Sequence, residues 1–460
     1  VTLIKSISGL RGTIGGKAGE TLSPLDVVKF SAAFGTWVKS TNETAKVVIG
    51  RDARPSGEMF SKFVAQTLNT LGIDVVDLGL STTPTVEMAV VAEGAQGGII
   101  LTASHNPAGW NALKLLNASG EFISEADGQQ ILDLAESGEI VFSETKKYGS
   151  VKEKSTYIDW HIDRVLEYPL VDVEAIRSRG FKVVVDAVNS TGGIAVPKLL
   201  ERLGVEYHAM FCEPNGKFPH NPEPLPENLR QICGELETGH YDLGIVVDPD
   251  VDRLALICEN GEPFGEEYTL VAVADYVLSQ RPGNTVSNLS STRALRDVTE
   301  KHGGEYFASS VGEVHVVAQM KATDAVIGGE GNGGIIVPDL HYGRDALIGI
   351  ALFLSHMAKS GMSTSRLRAG YPSYYISKNK IELTPDLDLG GVLEKIKEKY
   401  ASNPINAIDG VKIEFDKEWV HLRKSNTEPI IRIFAESDSL SKADHLAQKL
   451  MMDIKEVIQH

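Results

Sequence analysis

Three aspartates alternate along Asp248-Pro-Asp-Val-Asp-Arg253. In an extended segment, residues i, i+2 and i+4 face the same way, so this spacing predicts Asp248, Asp250 and Asp252 on one side. Such a cluster repels itself unless a cation neutralises it. An all-oxygen donor set suits a hard cation, and Mg²⁺ is the usual companion of phosphate. The plain alternative is an acidic surface turn. The flanks count against it, because Leu243–Val247 and Leu254–Ile257 read as buried strands, and carboxylates held between such strands are costly without a ligand. The segment lacks the glycine and distal glutamate of an EF-hand loop, so a calcium-sensor reading is poor.

Three other polar segments carry chemistry-bearing residues. In Thr102-Ala-Ser-His-Asn-Pro107, Ser104 stands directly after an apolar strand pattern and beside His105. Taken alone it is a turn residue of an ordinary kind. The neighbouring acidic motif makes it a candidate nucleophile. Gly328-Gly-Glu-Gly-Asn-Gly-Gly334 contains one acid, Glu330, and one amide, Asn332. A carboxylate inside the loop argues against phosphate cradling, whereas an acceptor with an amide suits sugar hydroxyls. Arg423-Lys-Ser-Asn-Thr-Glu-Pro429 combines Arg423 with Ser425, Asn426 and Thr427. That set makes an anion site, and a solvated basic turn fits this segment equally well.

An internal repeat places the first three loops. Lys46–Gly50, Lys182–Asp186 and Thr285–Leu289 are strand patterns, each followed by a polar turn, a helical stretch, a glycine and a second strand. The glycines Gly72, Gly204 and Gly303 stand where a helix ends, the usual place for a residue of positive φ. Each unit then adds a strand that runs into one of the polar loops. Strands alternating with helices predict βαβ units with parallel pairing, and ligands of such sheets bind outside the carboxyl ends of the strands. Three equivalent domains can therefore offer three different loops to one cleft. After about residue 370 the pattern changes to short strands and two helices, the last with Ala443, Leu446, Leu450, Ile454 and Val457 on one face. The reading is three similar α/β domains with mixed or parallel sheets at 1–150, 151–256 and 257–370, and a smaller C-terminal α+β domain at 371–460, around a central cleft.

The 460 residues suit several domains. A net charge of −17 opposes binding to nucleic acid or anionic membrane, so positive charge for an anionic substrate must be local. No apolar run approaches the ~18 residues of a membrane span, and no secretory signal is expected from the start of the sequence. Cys212, Cys233 and Cys258 lack metal-ligand spacing and are expected as free thiols in the cytoplasm.

Taken together, these segments resemble the α-D-phosphohexomutase superfamily, whose members include phosphoglucomutases, phosphomannomutases and phosphoglucosamine mutases. The resemblance runs in order through Ser8–Gly12, Gly50–Ser56, Thr102–Pro107, Phe218–Pro224, Asp248–Arg253, Gly329–Gly334 and Arg423–Pro429. It implies an isomerase in which Ser104 carries the transferable phosphoryl group. Asp248, Asp250 and Asp252, with the phosphoserine, are then the Mg²⁺ ligands. Glu330 and Asn332 contact sugar hydroxyls, and Arg423, Ser425, Asn426 and Thr427 hold the phosphate that is not reacting. Arg11, His105, Lys114 and Arg253 match active-site positions, with Lys114 a candidate general acid/base.

The implied reaction interconverts hexose 1-phosphate and 6-phosphate through a bound hexose 1,6-bisphosphate, which also serves as activator. The substrate is a small phosphosugar. Asn332 favours an amino sugar, hence a phosphoglucosamine mutase, with glucose or mannose phosphate as the alternative. A phosphoserine-dependent phosphatase or a sugar-phosphate binding protein is the more distant reading. Monomer and homodimer both remain open.

The sequence departs from the family at several points. Ala112 stands where glycine is frequent, and Pro249 and Val251 where small residues are common. Gly334 stands where many members have a histidine, so a histidine acid/base is not carried over and more of that role falls to Lys114 or His105.

Overall fold

The computed structural model describes residues 2–6, 9–42, 44–382, 389–424 and 430–459. Among the described residues, twenty strands form four sheets. The first contains β1 (Ile4–Ser6), β2 (Gly9–Thr13), β3 (Ala45–Arg51), β4 (Ile73–Leu80), β5 (Gly97–Leu101), β6 (Trp110–Leu116) and β7 (Val151–Glu153), in the order β1-β2-β6-β5-β3-β4-β7. The second contains β8 (Lys182–Asp186), β9 (Glu206–Met210), β10 (Leu243–Val247) and β11 (Leu254–Cys258), ordered β11-β10-β8-β9. The third contains β12 (Asn284–Asn288), β13 (Tyr306–Ser309), β14 (Ala325–Glu330) and β15 (Gly334–Ile336), ordered β13-β12-β14-β15. The sheets thus run a few residues past positions 150 and 256.

The repeat is visible strand by strand. β3, β8 and β12 each lie between two parallel neighbours, and the strand that leaves toward the cleft, β5, β10 or β14, then pairs antiparallel with the next, β6, β11 or β15. Each such hairpin carries one polar loop at the carboxyl end of a parallel strand. All residues of β5, β10, β11 and β14 are buried, which fixes these loops from below. The second and third units share one apolar core, in which Val185, Leu199, Leu256, Val273, Ile335 and Leu352 are fully or almost fully buried.

The third loop is shorter than its glycines suggest. β14 runs through Gly328, Gly329 and Glu330, and β15 begins at Gly334, leaving only residues 331–333 as a turn. Side chains would obstruct these strands: a Cβ on Gly328 would lie 2.5 Å from the sulfur of Met320.

The register of the first sheet matters for the site. β2 pairs with β6 so that Gly9 faces Lys114 and Ala112 faces Arg11. Each long cation lies opposite a small residue, and both project on the same face because residues two apart do so in a strand.

The fourth sheet contains β16 (Tyr375–Glu382), β17 (Ile405–Asn406), β18 (Val411–Glu414), β19 (Trp419–Lys424) and β20 (Ile430–Ser437), ordered β16-β20-β19-β18-β17 and antiparallel throughout. The helix Leu440–Gln459 covers it, with Ala443, Leu446, Leu450 and Ile454 buried and Val457 packed beside them, as the period of the sequence predicts. This domain docks on the third unit. Arg296 grips Glu414 with two bonds of 2.9 and 2.8 Å. Lys412 Nζ donates to the Leu289 carbonyl at 2.9 Å, and His421 Nδ1 lies 2.9 Å from Ser290 Oγ. The architecture is the expected one of three similar α/β domains and a smaller C-terminal α+β domain around a cleft. All three cysteines are free, and no described helix is long and apolar enough to cross a membrane.

Gly9 has φ +130, and a Cβ there would lie 2.0 Å from the Leu113 carbonyl oxygen. Gly9→Ala should cost roughly 1–3 kcal/mol of stability and disturb the Arg11–Lys114 face, read as a lower unfolding midpoint with a lower kcat/KM. His421 is held down to about 4 by burial, with Lys412 and Arg423 adding to the effect. Its folded value is thus below the unfolded value of about 6.5. The stabilisation from keeping it neutral is complete above that value and is lost as pH falls toward 4, on the order of 3 kcal/mol. In His421→Gln the unfolding midpoint should depend less steeply on pH across that window.

Candidate active site

The turn after β5 is built around Arg54, a side chain 1% exposed. Its Nε bonds Asp52 Oδ2 at 2.9 Å. Its terminal nitrogens donate to the carbonyls of Ser104, Asn106, Pro107 and Trp110 at 2.5–3.0 Å, and the Phe218 ring lies 5.1 Å from the guanidinium. Thr102 Oγ1 donates to Asp52 Oδ2 at 2.7 Å and accepts from Ser104 N at 2.9 Å. Held in this way, Ser104 takes a left-handed conformation, φ 48, which non-glycine residues adopt sparingly. Its Oγ donates to Asp248 Oδ2 at 2.8 Å. The Ser104 loop of the first domain and the acidic loop of the second therefore meet, although 144 positions separate the two residues.

The acidic loop is not the extended segment that its alternation implies. It is a turn, with Val251 left-handed at φ 64. That conformation is strained for a β-branched residue and explains why glycine suits the position; here burial of the Val251 side chain in the shared core offsets the strain. The turn still converges the three carboxylates, which offer ligand atoms within 4.8 Å of one another. All three aspartates are 0% exposed. Burial, together with Asp252 and Asp250, pushes Asp248 well above the usual carboxylate range. Burial also works against the charge of Asp252, yet Arg344, Lys114 and Arg253 hold that carboxyl well below the range. Asp250 Oδ1 and Asp252 Oδ1 are buried without a hydrogen-bond partner. Unpartnered oxygens in an all-carboxylate cluster fit a hard divalent cation.

All three α/β units support this loop. Ser190 and Thr191 donate to the Pro249 carbonyl at 2.7 and 2.9 Å. Thr83 donates to Asp250 twice, from N to O at 2.8 Å and from Oγ1 to Oδ2 at 2.6 Å. Ala346 N bonds the Val251 carbonyl at 3.1 Å, and Leu254 N bonds the Gly333 carbonyl at 3.0 Å.

Arg11, Ser104, His105, Lys114, Arg253 and Glu330 all line one cavity of about 560 Å³. Lys114 Nζ is 2.7 Å from Asp250 Oδ2 and 3.5 Å from Asp252 Oδ2. Burial opposes its charge, but these two carboxylates raise its pKa. His105 is driven down to about 2 by burial and then by Arg253 and Arg11, so it is a neutral ring. Its Nδ1 makes no hydrogen bond. Arg11 reaches Asn106 Oδ1 at 3.3 Å.

Glu330 lines the cavity but is already engaged. Oε1 accepts from Asn288 at 2.8 Å and Gly312 N at 3.2 Å, and Oε2 from Arg344 at 2.7 Å. Asn332 does not line the cavity. Its Oδ1 accepts from Gly334 N at 3.2 Å and so closes the short turn. Arg423 is on β19 rather than in a turn, 14% exposed and 3.8 Å from Asp409. Ser425, Asn426 and Thr427 lie outside the described residues.

Sequence reasoning missed Arg344. This buried side chain forks between Asp252 (2.7 Å) and Glu330 (2.7 Å), with Nε 3.0 Å from Glu313. It joins the acidic loop to the third loop and lines the same cavity. One signal was available. A Cβ on Gly334 would lie 2.3 Å from Arg344 Cδ, so the missing histidine at 334 marks space that an arginine from further along the chain fills. Thr83 and Glu313 were also missed, since each stands in an ordinary helical stretch.

A serine hydroxyl bonded to one of three buried, under-neutralised carboxylates, in a cavity rimmed by Arg11, Lys114 and Arg253, is the equipment of a phosphoryl-transfer centre. The chain belongs to the phosphoglucomutase/phosphomannomutase family, whose α/β/α domains I, II and III match residues 4–140, 159–261 and 265–374 and whose C-terminal domain matches 384–452. It is 32% identical to a probable phosphoglucosamine mutase of Methanopyrus kandleri over 98% of both chains. It is 36% identical to a phosphoglucomutase/phosphomannomutase of Thermococcus kodakarensis, covering 94% of this chain and 96% of that one. The crystal structure of a phosphoglucomutase/phosphomannomutase family protein from Burkholderia thailandensis superposes with a TM-score of 0.85 at 26% identity, over 98% of this chain and 96% of that one.

Removing Arg344 takes the nearest cation away from Asp252, Glu330 and Glu313 at once. Arg344→Gln should cost about 3–5 kcal/mol of stability, as for a broken buried ion pair, and lower kcat/KM by about 10²–10³-fold. Arg344→Lys should recover more stability than rate, because charge returns without the fork. Unfolding midpoints and steady-state kinetics on both variants check this.

Proposed function

We propose that this phosphohexomutase, an isomerase, interconverts glucosamine 1-phosphate and 6-phosphate, with Ser104 as the phosphoryl carrier. The hydrogen bond between Ser104 Oγ and Asp248 at 2.8 Å carries the reading, because it sets a nucleophile beside a cation site at the wall of a sugar-sized cavity. The relative from Methanopyrus kandleri supports the amino sugar. The relative from Thermococcus kodakarensis supports the second reading, glucose or mannose phosphate.

Asp248, Asp250, Asp252 and phosphorylated Ser104 would hold Mg²⁺, which when bound supplies charge stabilisation to the transferring group. The remaining work falls to the protein. Arg54 fixes the serine turn, so the phosphoryl group starts from one position. Arg11 and Arg253 crowd like charges at the cavity wall, an arrangement that an anionic phosphate relieves. Lys114 holds its proton between two carboxylates and is placed as acid for the departing oxygen; in the reverse half-reaction the same nitrogen takes the proton back. His105, kept neutral, offers a hydrogen-bonding nitrogen rather than a charge. Arg423, with Ser425, Asn426 and Thr427, grips the phosphate that is not reacting. The hexose 1,6-bisphosphate formed midway turns over in the cleft and returns its other phosphate to Ser104.

With purified enzyme and Mg²⁺, kcat/KM should be highest for glucosamine phosphate, and chelation should abolish turnover reversibly. Incubation with hexose bisphosphate should add one phosphate to the wild type, located at Ser104 by peptide mass, and none to Ser104→Ala. A higher kcat/KM for glucose or mannose phosphate replaces the amino sugar, and full activity in Ser104→Ala overturns the mechanism.

A further inference from the structure

Behind the acidic loop lies a second group of ligating side chains. His161 on the helix Tyr157–Glu167, His341 in the segment after β15, and Asp345 at the N-cap of the helix Ala346–Ser360 bring ligand atoms within 4.8 Å of one another. His161 Nε2 is 2.8 Å from Asp345 Oδ2, and His341 Nε2 is 3.2 Å from the same oxygen. His161 and Asp345 are fully buried. On the far sides of the two rings, His161 Nδ1 is 2.9 Å from Thr85 Oγ1, and His341 Nδ1 is 3.3 Å from Glu87 Oε2.

We propose that His161 Nε2, His341 Nε2 and Asp345 Oδ2 bind a zinc-class divalent transition metal, with Thr85 and Glu87 as the outer partners that orient the two rings. Two ligands about 2.0–2.1 Å from a tetrahedral zinc are about 3.3 Å apart, so the present separations need to open only slightly. Two imidazoles and one carboxylate suit a borderline cation rather than Mg²⁺. A metal-bound histidine characteristically donates its other ring N–H to a carboxylate or another oxygen, and each ring has such a group in place.

Glu87 provides an independent observation. It is 1% exposed, and neither of its oxygens makes a hydrogen bond. Its facing partner, His341 Nδ1, is equally unsatisfied. Metal at Nε2 places the proton on Nδ1 and gives this buried carboxylate a donor.

The position gives the site a purpose distinct from catalysis. Thr85 and Glu87 share the helix Thr83–Ala92 with Thr83, which holds Asp250. Asp345 follows Arg344, which holds Asp252. An ion here would tie together two supports of the acidic loop that come from different domains.

Elemental analysis of the full chain, purified without chelator and kept in excess Mg²⁺, should find one zinc per chain. Co²⁺ in its place should give the visible spectrum of a tetrahedral site, retained in Asp250→Asn and lost in a His161→Gln/His341→Gln double variant. Glu87→Gln should weaken Zn²⁺ binding by about 10–100-fold. Anomalous scattering at the zinc edge from wild-type crystals should place the ion between His161 and His341, a result that does not depend on any variant folding. Absence of zinc under these conditions, a peak only at Asp248–Asp252, or unchanged Zn²⁺ affinity in Glu87→Gln overturns the proposal.

Discussion

Three carboxylates confined to one buried turn are the constraint on which the rest of this structure depends. Asp248, Asp250 and Asp252 have no exposure to water, and three like charges in a space of low dielectric repel strongly. The protein responds by bringing cations and donors from every side. Lys114 comes from the first domain, Arg253 from the turn itself, Arg344 and the Ala346 amide from the third, and Thr83 from a helix of the first. Each of the three α/β domains contributes a side chain or backbone group to this turn.

The Ser104 loop answers a different constraint. A serine that must present its hydroxyl at one point cannot sit in a loose turn. Four carbonyls of residues 104–110 converge on the Arg54 guanidinium, and Asp52 neutralises the charge that brings them together. Removing such an arginine would strand several buried acceptors at once. The strain at Ser104 and Val251 is offset by this network and by core packing, a common state of affairs at sites where position matters more than local comfort.

The repeat explains how one fold serves several tasks. In each unit an apolar strand pair fixes a hairpin whose loop is free to vary, so the Ser104 loop, the Asp248–Asp252 turn and the Gly331–Gly333 turn occupy equivalent places with unrelated residues. Fixed scaffolds with variable loops are the usual arrangement in α/β enzymes. The fourth domain departs from the pattern and is attached instead by charged and buried polar contacts such as Arg296–Glu414 and Lys412 with the Leu289 carbonyl.

The sequence by itself determined the repeat, the strands under each loop, and the chemical character of the Ser104 and Asp248–Asp252 segments. These are local properties: apolar runs, glycines at helix ends and residue types at short spacing. Tertiary structure alone decided which side chains complete the site. Arg344, Thr83 and Glu313 lie in unremarked stretches and gain meaning only because folding brings them against Asp252, Asp250 and Arg344. Tertiary contacts also turned Asn332 to closing a strand turn and curled the acidic segment at Val251. In each case the deciding partner is distant in the chain, so its effect is a matter of packing and of charge held in a dry interior, which residue spacing does not encode.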